Sequence, residues 1–509
     1  MEEIQKKEVS AAGGRESLVQ HFAIEGLFDY RSISLESEYA ATVLIARNGA
    51  GKTTMLGALD AFLRGQFGRL TSLTFRRIEC RLRNVPRMLV LEKADLEQFL
   101  KTASETPDVV RVAKQHELDP EDVLFFVLWE FPVIQWTRGG LNRHPVFRKV
   151  YQHQSYTYEA TLSLFNNLMQ ATSAAWSPVT ELRQTIATAL RDIEVVYLPT
   201  YRRIELSLPQ TDESRSVYDR EPLSIHARLG LNRRGLHAGD IQFGLADISA
   251  RLKQLNQEII IESNQKYGEI SANIIDDLIS GQFEEQVPSL EQRPSRQELD
   301  IFFERMKSGR RTIGYYGYYG GAFNTPDIDR IYSGNIPKNS EKFLTYFLGK
   351  LNSVIQKTRE TERVVESFIK NCNRYLSAGD PTADQYGISQ VDEKELRLDR
   401  SSLEVSVWRK GPRSIEIPLD ALSSGEKQMV SLFARLYLYP KDKLVLIDEP
   451  ELSLSIDWQQ KILPDIVNAS LCRQVIAITH SPFIFDNELD VFATSLRLTV
   501  DDQETSIKQ

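Results

Sequence analysis

Two apolar runs near opposite ends of the chain each stop at residues suited to binding phosphate or a divalent cation. Near the start, Ala41-Thr42-Val43-Leu44-Ile45 leads into Ala46-Arg47-Asn48-Gly49-Ala50-Gly51-Lys52-Thr53, after which Met55, Leu56, Leu59, Phe62 and Leu63 recur at helical spacing. A buried strand, a glycine-bearing loop and a helix, in that order, aim free backbone N–H groups at an anion at the positive end of the helix. Asn48, Gly49, Ala50, Gly51, Lys52, Thr53 and Thr54 are the candidate phosphate contacts. Lys52 supplies a point charge and the Thr53 hydroxyl can ligate Mg²⁺. The first glycine of the GxxxxGK[ST] pattern is Ala46 here, small enough for the turn if φ stays negative. Near the other end, Lys443-Leu444-Val445-Leu446-Ile447 delivers Asp448 to the same cation, and Glu449, one residue on and facing differently, can activate a water. Lys52 and Asp448 must meet around one nucleotide, so the two ends fold together and the middle is an insertion.

Three further segments flank the second run. Leu422-Ser423-Ser424-Gly425-Glu426-Lys427-Gln428 is a serine-glycine turn opening an amphipathic helix, where N–H groups and a hydroxyl make an anion site. Leu454-Ser455-Ile456-Asp457 follows Glu449, and the apolar strand Val475-Ile476-Ala477-Ile478-Thr479 ends in His480, whose ring N–H can sense a γ-phosphate. In order and character these segments resemble the Walker A, signature, Walker B, D-loop and switch-histidine motifs of ABC-type ATPases. The chain is similar to the soluble branch that includes the SMC-like repair ATPases, RecF and the OLD-like bacterial defence ATPases. Tyr197-Leu198-Pro199-Thr200-Tyr201-Arg202-Arg203-Ile204-Glu205 looks similar to a stretch of the PtuA-type ATPases of Septu and retron-linked antiphage systems. Ser455 stands where that defence branch often has histidine, which leaves the family histidine's role without a counterpart here.

The resemblance implies an α/β fold: an ABC-type P-loop ATPase head assembled from both chain ends, 1–90 and 396–509, with a large, mainly helical insertion at 91–395. It implies ATP and Mg²⁺ as cofactors, Thr53 and Asp448 as metal ligands, and Glu449 and His480 as the catalytic pair. It also implies a homodimer or higher oligomer through the heads, in which Ser423, Ser424, Gly425 and Glu426 of one subunit complete the phosphate site of another. PtuA-like proteins work with a separately encoded HNH nuclease, and the retron-linked ones also bind a reverse transcriptase–DNA complex. The residues after His480 are too few for a Toprim domain, and no nuclease site is recognised, so the expected activity is that of an ATPase switch. The alternatives are a RecF-like or SMC-like DNA-repair ATPase and a nucleotide-gated scaffold with negligible turnover. Salt-sensitive DNA binding stimulated by ATP would favour the former.

Composition narrows the setting. The chain has 509 residues, with 62 Lys+Arg against 70 Asp+Glu for a formal charge of −8. Length alone predicts about three domains, which the meeting of the two ends replaces by one head and its insertion. The acidic balance argues against a general nucleic-acid coat. Two basic stretches could still touch nucleic acid: Arg69, Arg76, Arg77, Arg81, Arg83 and Arg87, and then Arg228, Arg233 and Arg234. Alternation along 73–83 makes the first a solvated or acid-paired strand face. The three cysteines, Cys80, Cys372 and Cys472, form no metal or disulfide pattern and fit a reducing cytoplasm. No apolar run is long enough to span a bilayer.

In the middle, Glu194 to Pro199 reads as a strand, and Leu245, Ile248, Leu252, Leu255 and Ile259 form a short heptad stripe, read as an amphipathic helix packing on a neighbour. Gly314 to Gly321 alternates glycine and tyrosine, and a long helix runs from Phe343 to about Leu376. Strands are expected near 403–408, 414–418, 443–447 and 474–479, and helices at 423–437 and 454–468.

Overall fold

The computed structural model describes residues 13–47, 49–134, 141, 144–152, 157–174, 177–199, 245–281, 293–313, 326–333, 336–377, 393–400, 404–410, 413–452 and 454–500. They fall into two compact units, Met1–Gln242 with Lys441–Gln509, and Phe243–Pro440. The first unit begins with β1 (Val19–Leu27), β2 (Arg31–Glu36), β3 (Ala41–Ile45), helix α1 (Lys52–Leu63), β4 (Arg77–Leu82), β5 (Leu89–Glu92) and β6 (Ile193–Leu198). The second holds β7 (Lys394–Leu398), β8 (Val405–Arg409) and β9 (Ile415–Ile417); β10 (Asp442–Asp448), β11 (Cys472–Thr479), β12 (Ala493–Ser495) and β13 (Arg497–Val500) return to the first.

The apolar runs of the two chain ends become neighbours in one parallel sheet of order β12-β3-β11-β10-β6. Leu44 pairs with Ile478, and Ile447 with Ala477. A parallel sheet covered on both faces needs unbroken apolar strands rather than alternation. Accordingly Leu444, Val445, Leu446, Ile476, Ala477 and Ile478 are buried. A second, antiparallel sheet of order β13-β2-β1-β4-β5 packs its inner face into the same core through Phe22, Ile24, Ile78 and Cys80. Gln474 joins the two sheets. Its buried amide accepts from the Leu18 and Val19 N–H groups at 2.9 and 2.8 Å and donates to the Val19 carbonyl and the Ser37 hydroxyl at 3.1 and 2.9 Å. All four hydrogen-bonding positions of that amide are thereby used, which is what makes a buried glutamine tolerable in this core.

The unit boundaries differ from the expected ones at 90/91 and 395/396. β6 is hydrogen-bonded to β10, with Val196 opposite Val445. The helical stretch before β6, expected in the insertion, therefore groups with the strands that flank the glycine-bearing loop. A helical subcore around Phe126, Phe131, Phe147 and Phe165 belongs to this unit as well.

The second unit is built on long helices. Leu245–Ser280 carries Ile248, Leu252, Leu255 and Ile259 buried, and packs against Lys338–Leu376, as expected of an amphipathic helix with a short stripe. Lys338–Leu376 also packs against Ser424–Leu438 and β7, which places 396–440 with these helices. Buried Arg305 pairs with Glu362, which Arg359 and Arg400 also approach at 3.0 and 3.2 Å. Burial pushes the Glu362 carboxyl up and the three guanidinium groups outweigh it, so it sits below the usual carboxylate range. Strands β8 to β11 and the helices Ser424–Leu438 and Ile456–Val467 lie within about two residues of their expected positions, while β12 and β13 were not expected. Arg228, Arg233, Arg234, the 314–321 tract and residues 200–205 of the PtuA-like stretch lie outside the described residues. Among the described residues no helix is long and apolar enough to cross a membrane.

Candidate functional site

The glycine loop at the end of β3 takes the conformation its residues demand. Gly49 and Gly51 have φ of +82° and +89°, left-handed values that a Cβ would strain. Gly51 is the N-cap of α1, and its carbonyl accepts the Met55 N–H at 2.8 Å, so the helix starts at Lys52 with its first N–H groups directed toward the loop. Among the described residues the non-glycine left-handed positions are Phe28, Asp29, Glu117 and Glu449. Ala46 thus replaces the first glycine at ordinary φ. Asn48 lies outside the described residues.

The structure brings Lys52, Thr53, Asp448, Glu449 and His480 together at the carboxyl ends of β3, β10 and β11. The Thr53 hydroxyl donates to Asp448 Oδ2 at 2.6 Å. Buried Lys52 places its Nζ 3.0 Å from Glu449 Oε1. Glu449 is one of the left-handed residues, with φ of 54°, a conformation that costs a non-glycine residue about 1–3 kcal/mol. The Glu449 N–H donates to the Ile478 carbonyl at 2.8 Å, which holds the turn in place. Thr54 follows as the third residue of α1, half-buried.

His480, half exposed, has Nδ1 3.0 Å from Glu451 Oε1 and 3.7 Å from Glu449 Oε1. Glu451 escaped the sequence reading. It is buried, accepts the Thr479 hydroxyl at 2.8 Å and the His480 N–H at 3.2 Å, and so fixes both the backbone and the ring of the histidine. A carboxylate at Nδ1 leaves Nε2 as the outward nitrogen. Gln459 adds a second brace, accepting the Ser481 hydroxyl at 2.9 Å and donating to the Leu454 carbonyl at 3.0 Å. The signal for Glu451 in the sequence was its place in the Pro450-Glu451-Leu452-Ser453-Leu454 run after Glu449, which gave it no role of its own. Arg31 was also missed: it donates to the Gly49 carbonyl at 3.1 Å, and its guanidinium lies 5.2 and 5.3 Å from the Phe28 and Tyr30 ring centroids.

In the second unit Ser423 caps helix Ser424–Leu438 with a complete capping box. Ser423 Oγ accepts from the Glu426 N–H and Glu426 Oε2 accepts the Ser423 N–H at 2.6 Å, with Gly425 buried between them. Ser424 is the first residue of that helix.

The early arginines are largely acid-paired. Arg69 is buried against Asp60; Arg76 and Arg77 meet Glu25, Arg83 meets Glu16 and Arg87 meets Glu181. Cys80, Cys372 and Cys472 are free and buried, and burial pushes the Cys472 thiol up to about 12.

A family profile described as "AAA domain, putative AbiEii toxin, Type IV TA system" matches residues 321–486, which include the Ser423–Glu426 turn, Asp448, Glu449 and His480. No curated protein matches the chain. Two solved structures are similar at low levels. One is the Smc head domain with an extended coiled coil bound to the C-terminal domain of ScpA derived from Pyrococcus furiosus, 13% identical, covering 95% of each chain at a TM-score of 0.33. The other is the SmcHead bound to the C-winged helix domain of ScpA, 12% identical, covering 97% of this chain and 100% of that one at a TM-score of 0.31. The strand order, the loop conformation and the meeting of both chain ends make an α/β unit with a glycine-bearing phosphate loop at the carboxyl end of its parallel sheet. The AAA-family match falls on its C-terminal half and on the mainly helical unit before it.

Proposed function

We propose that this protein is an ATP-binding and ATP-hydrolysing switch subunit of a cytoplasmic bacterial antiphage defence system, of the Septu or retron-linked kind, that regulates a separately encoded nuclease. The observation that carries the ATPase part is the convergence of Lys52, Thr53, Asp448, Glu449 and His480 at one sheet edge. The donor set fits the nucleotide and its cation. The left-handed glycines and the start of α1 form an anion cradle, and the hydroxyl–carboxylate pair Thr53–Asp448 is a hard oxygen set suited to Mg²⁺. Bound there, Mg²⁺ would neutralise charge on the β- and γ-phosphates.

Lys52, released from Glu449, holds the γ-phosphate. Glu449 then orients a water and accepts its proton, and His480, held by Glu451, donates Nε2–H toward the phosphate when that nitrogen is protonated. Arg31, seated on Phe28 and Tyr30, lies beside the loop and is placed to contact the rest of the nucleotide. Ser423, Ser424 and Gly425 of a second copy close the site, so ATP joins two heads and hydrolysis parts them. The acidic balance and the acid-paired arginines favour a protein partner, an HNH-type nuclease, over a DNA-repair role. A reverse transcriptase–DNA complex is the further partner in the retron version.

The test is co-expression with an HNH-type nuclease taken from an open reading frame beside this gene, which this reading requires to exist. Protection from phage should be lost with Lys52→Ala and with Glu449→Gln, while purified protein shows Mg²⁺-dependent ATP hydrolysis that either change removes. Hydrolysis without any effect on a neighbouring nuclease would sink the defence reading and leave the ATPase one standing.

A further inference from the structure

We propose that Lys394 is a positioning residue for the Ser423–Glu426 turn, and that it ties this turn to the C-terminal end of helix Lys338–Leu376. The inference rests on the reading that the turn completes the phosphate site of a second copy. Lys394, on β7, is buried, and its Nζ lies 2.8 and 3.1 Å from the two carboxylate oxygens of Glu426. A capping box requires the glutamate and the serine; it does not require a buried ammonium supplied by a separate sheet. Burying such a pair is costly unless both ions are well satisfied, so a lysine kept there calls for a reason beyond capping the helix.

The chemistry of the turn supplies one. A carboxylate in the first turn of a helix opposes the partial positive charge that would attract a phosphate. Lys394 neutralises Glu426 and so restores an anion-attracting turn around Ser423, Ser424 and Gly425. It also holds the carboxylate in the rotamer that accepts the Ser423 N–H at 2.6 Å.

The strand carrying Lys394 is itself gripped by the long helix. Asn373 accepts the Leu396 N–H at 2.7 Å and donates to the Leu396 carbonyl at 2.9 Å, and the Ser377 hydroxyl donates to the Lys394 carbonyl at 3.3 Å. Two turns and more earlier on that helix, Glu362 meets Arg400, just beyond β7, and Arg305 donates to the Arg400 carbonyl at 2.8 Å. Helix, strand and turn are therefore one hydrogen-bonded series. Displacing the end of the helix, as a partner bound along it would do, moves Lys394 and with it the charge and geometry of the turn.

The experiment uses the full-length protein with Lys394→Met, Lys394→Arg and Ser423→Arg. Three quantities are read: the dissociation constant for ATP, steady-state kcat, and ATP-dependent self-association by light scattering in a Glu449→Gln background. Lys394→Met should lower kcat roughly tenfold and weaken self-association, with ATP affinity within about twofold of the parent, because the protomer's own cradle is untouched. Lys394→Arg, which keeps a charge able to bind both oxygens, should restore most of the loss. Wild-type kcat and self-association in Lys394→Met, alongside a Ser423→Arg protein that has lost both, would overturn the assignment of Lys394 alone. A Ser423→Arg protein that keeps wild-type kcat refutes the underlying two-copy site and this inference with it. If Lys394→Met melts early, Lys394→Gln is measured in its place; a loss of kcat matched by an equal loss of ATP affinity is structural and also refutes the proposal.

Discussion

Replacing Glu449 with glutamine should tighten ATP binding as it removes hydrolysis, and the first effect follows from an ion pair rather than from catalysis. Lys52 Nζ lies 3.0 Å from Glu449 Oε1, with the two side chains 6% and 20% exposed. A γ-phosphate drawn to Lys52 competes with that carboxylate. At this distance and an effective dielectric of about 20, the attraction between the two charges is about 5–6 kcal/mol. Desolvation of a pair this buried offsets most of it, leaving about 1–2 kcal/mol that the nucleotide must overcome. Glutamine keeps the size of the side chain and removes its charge, so the dissociation constant should fall about tenfold. If Glu449 activates the water as proposed, turnover should also fall by about two orders of magnitude or more. Titration calorimetry of ATP with Mg²⁺ measures the first quantity, and phosphate release over hours measures the second. Lys52→Met, which lacks the ammonium for which carboxylate and phosphate compete, should bind weakly whether or not Glu449 is changed. An ATP affinity in Glu449→Gln equal to or weaker than wild type would refute the competition, and hydrolysis at the wild-type rate would remove Glu449 from the chemistry.

Other expectations follow from contacts around and beneath the site. Glu451→Gln should lower kcat about tenfold with little change in ATP affinity, because it loosens His480 without touching the cradle; a matched loss of affinity, seen in the same calorimetry, would show that Glu451 supports the whole loop instead. Gln474→Leu orphans the Leu18 and Val19 N–H groups and the Val19 carbonyl in a buried place, which should destabilise the first unit by about 3 kcal/mol, read as a lower melting temperature. An unchanged melting temperature would mean that water reaches those groups. Asp60 and Glu362 both titrate below the ordinary carboxylate range: burial pushes each up, and Arg64 with Arg69, or Arg305 with Arg400 and Arg359, outweighs it. A lowered folded-state pKa gives stability that is present above the unfolded value, about pH 4, and is lost as pH falls through the folded one. The melting temperature should therefore drop on acidification below about pH 4, and less steeply in an Asp60→Asn, Glu362→Gln protein, whose melting at neutral pH is already lower.

The strands that carry the site could be read from sequence because burial on both faces leaves only one pattern available. The runs ending in Asp448 and Thr479 are unbroken apolar stretches, and their observed ends differ from the expected ones by one or two residues. The glycine loop was readable for a related reason: positive φ at Gly49 and Gly51 is a local demand met by local residues. What escaped depends on partners distant in the chain. Glu194 to Pro199 reads correctly as a strand, yet nothing within it says that β10 is its neighbour, so its helical surroundings were assigned to the insertion.

The supporting residues escaped for a stricter reason. Glu451, Gln474 and Lys394 are polar residues whose burial is tolerable only because a specific distant group satisfies them. In sequence, Lys394 stands in the charged run Asp392-Glu393-Lys394-Glu395, which any composition argument places in solvent. Its inward turn is a consequence of β7 register, with Lys394 opposite Arg409 and Leu396 opposite Val407 on the buried face. The motif residues declare themselves because their chemistry constrains their own backbone. The residues that hold them declare themselves only through the fold, which is why the Ser423–Glu426 capping turn could be read from sequence and its buried partner Lys394 could not.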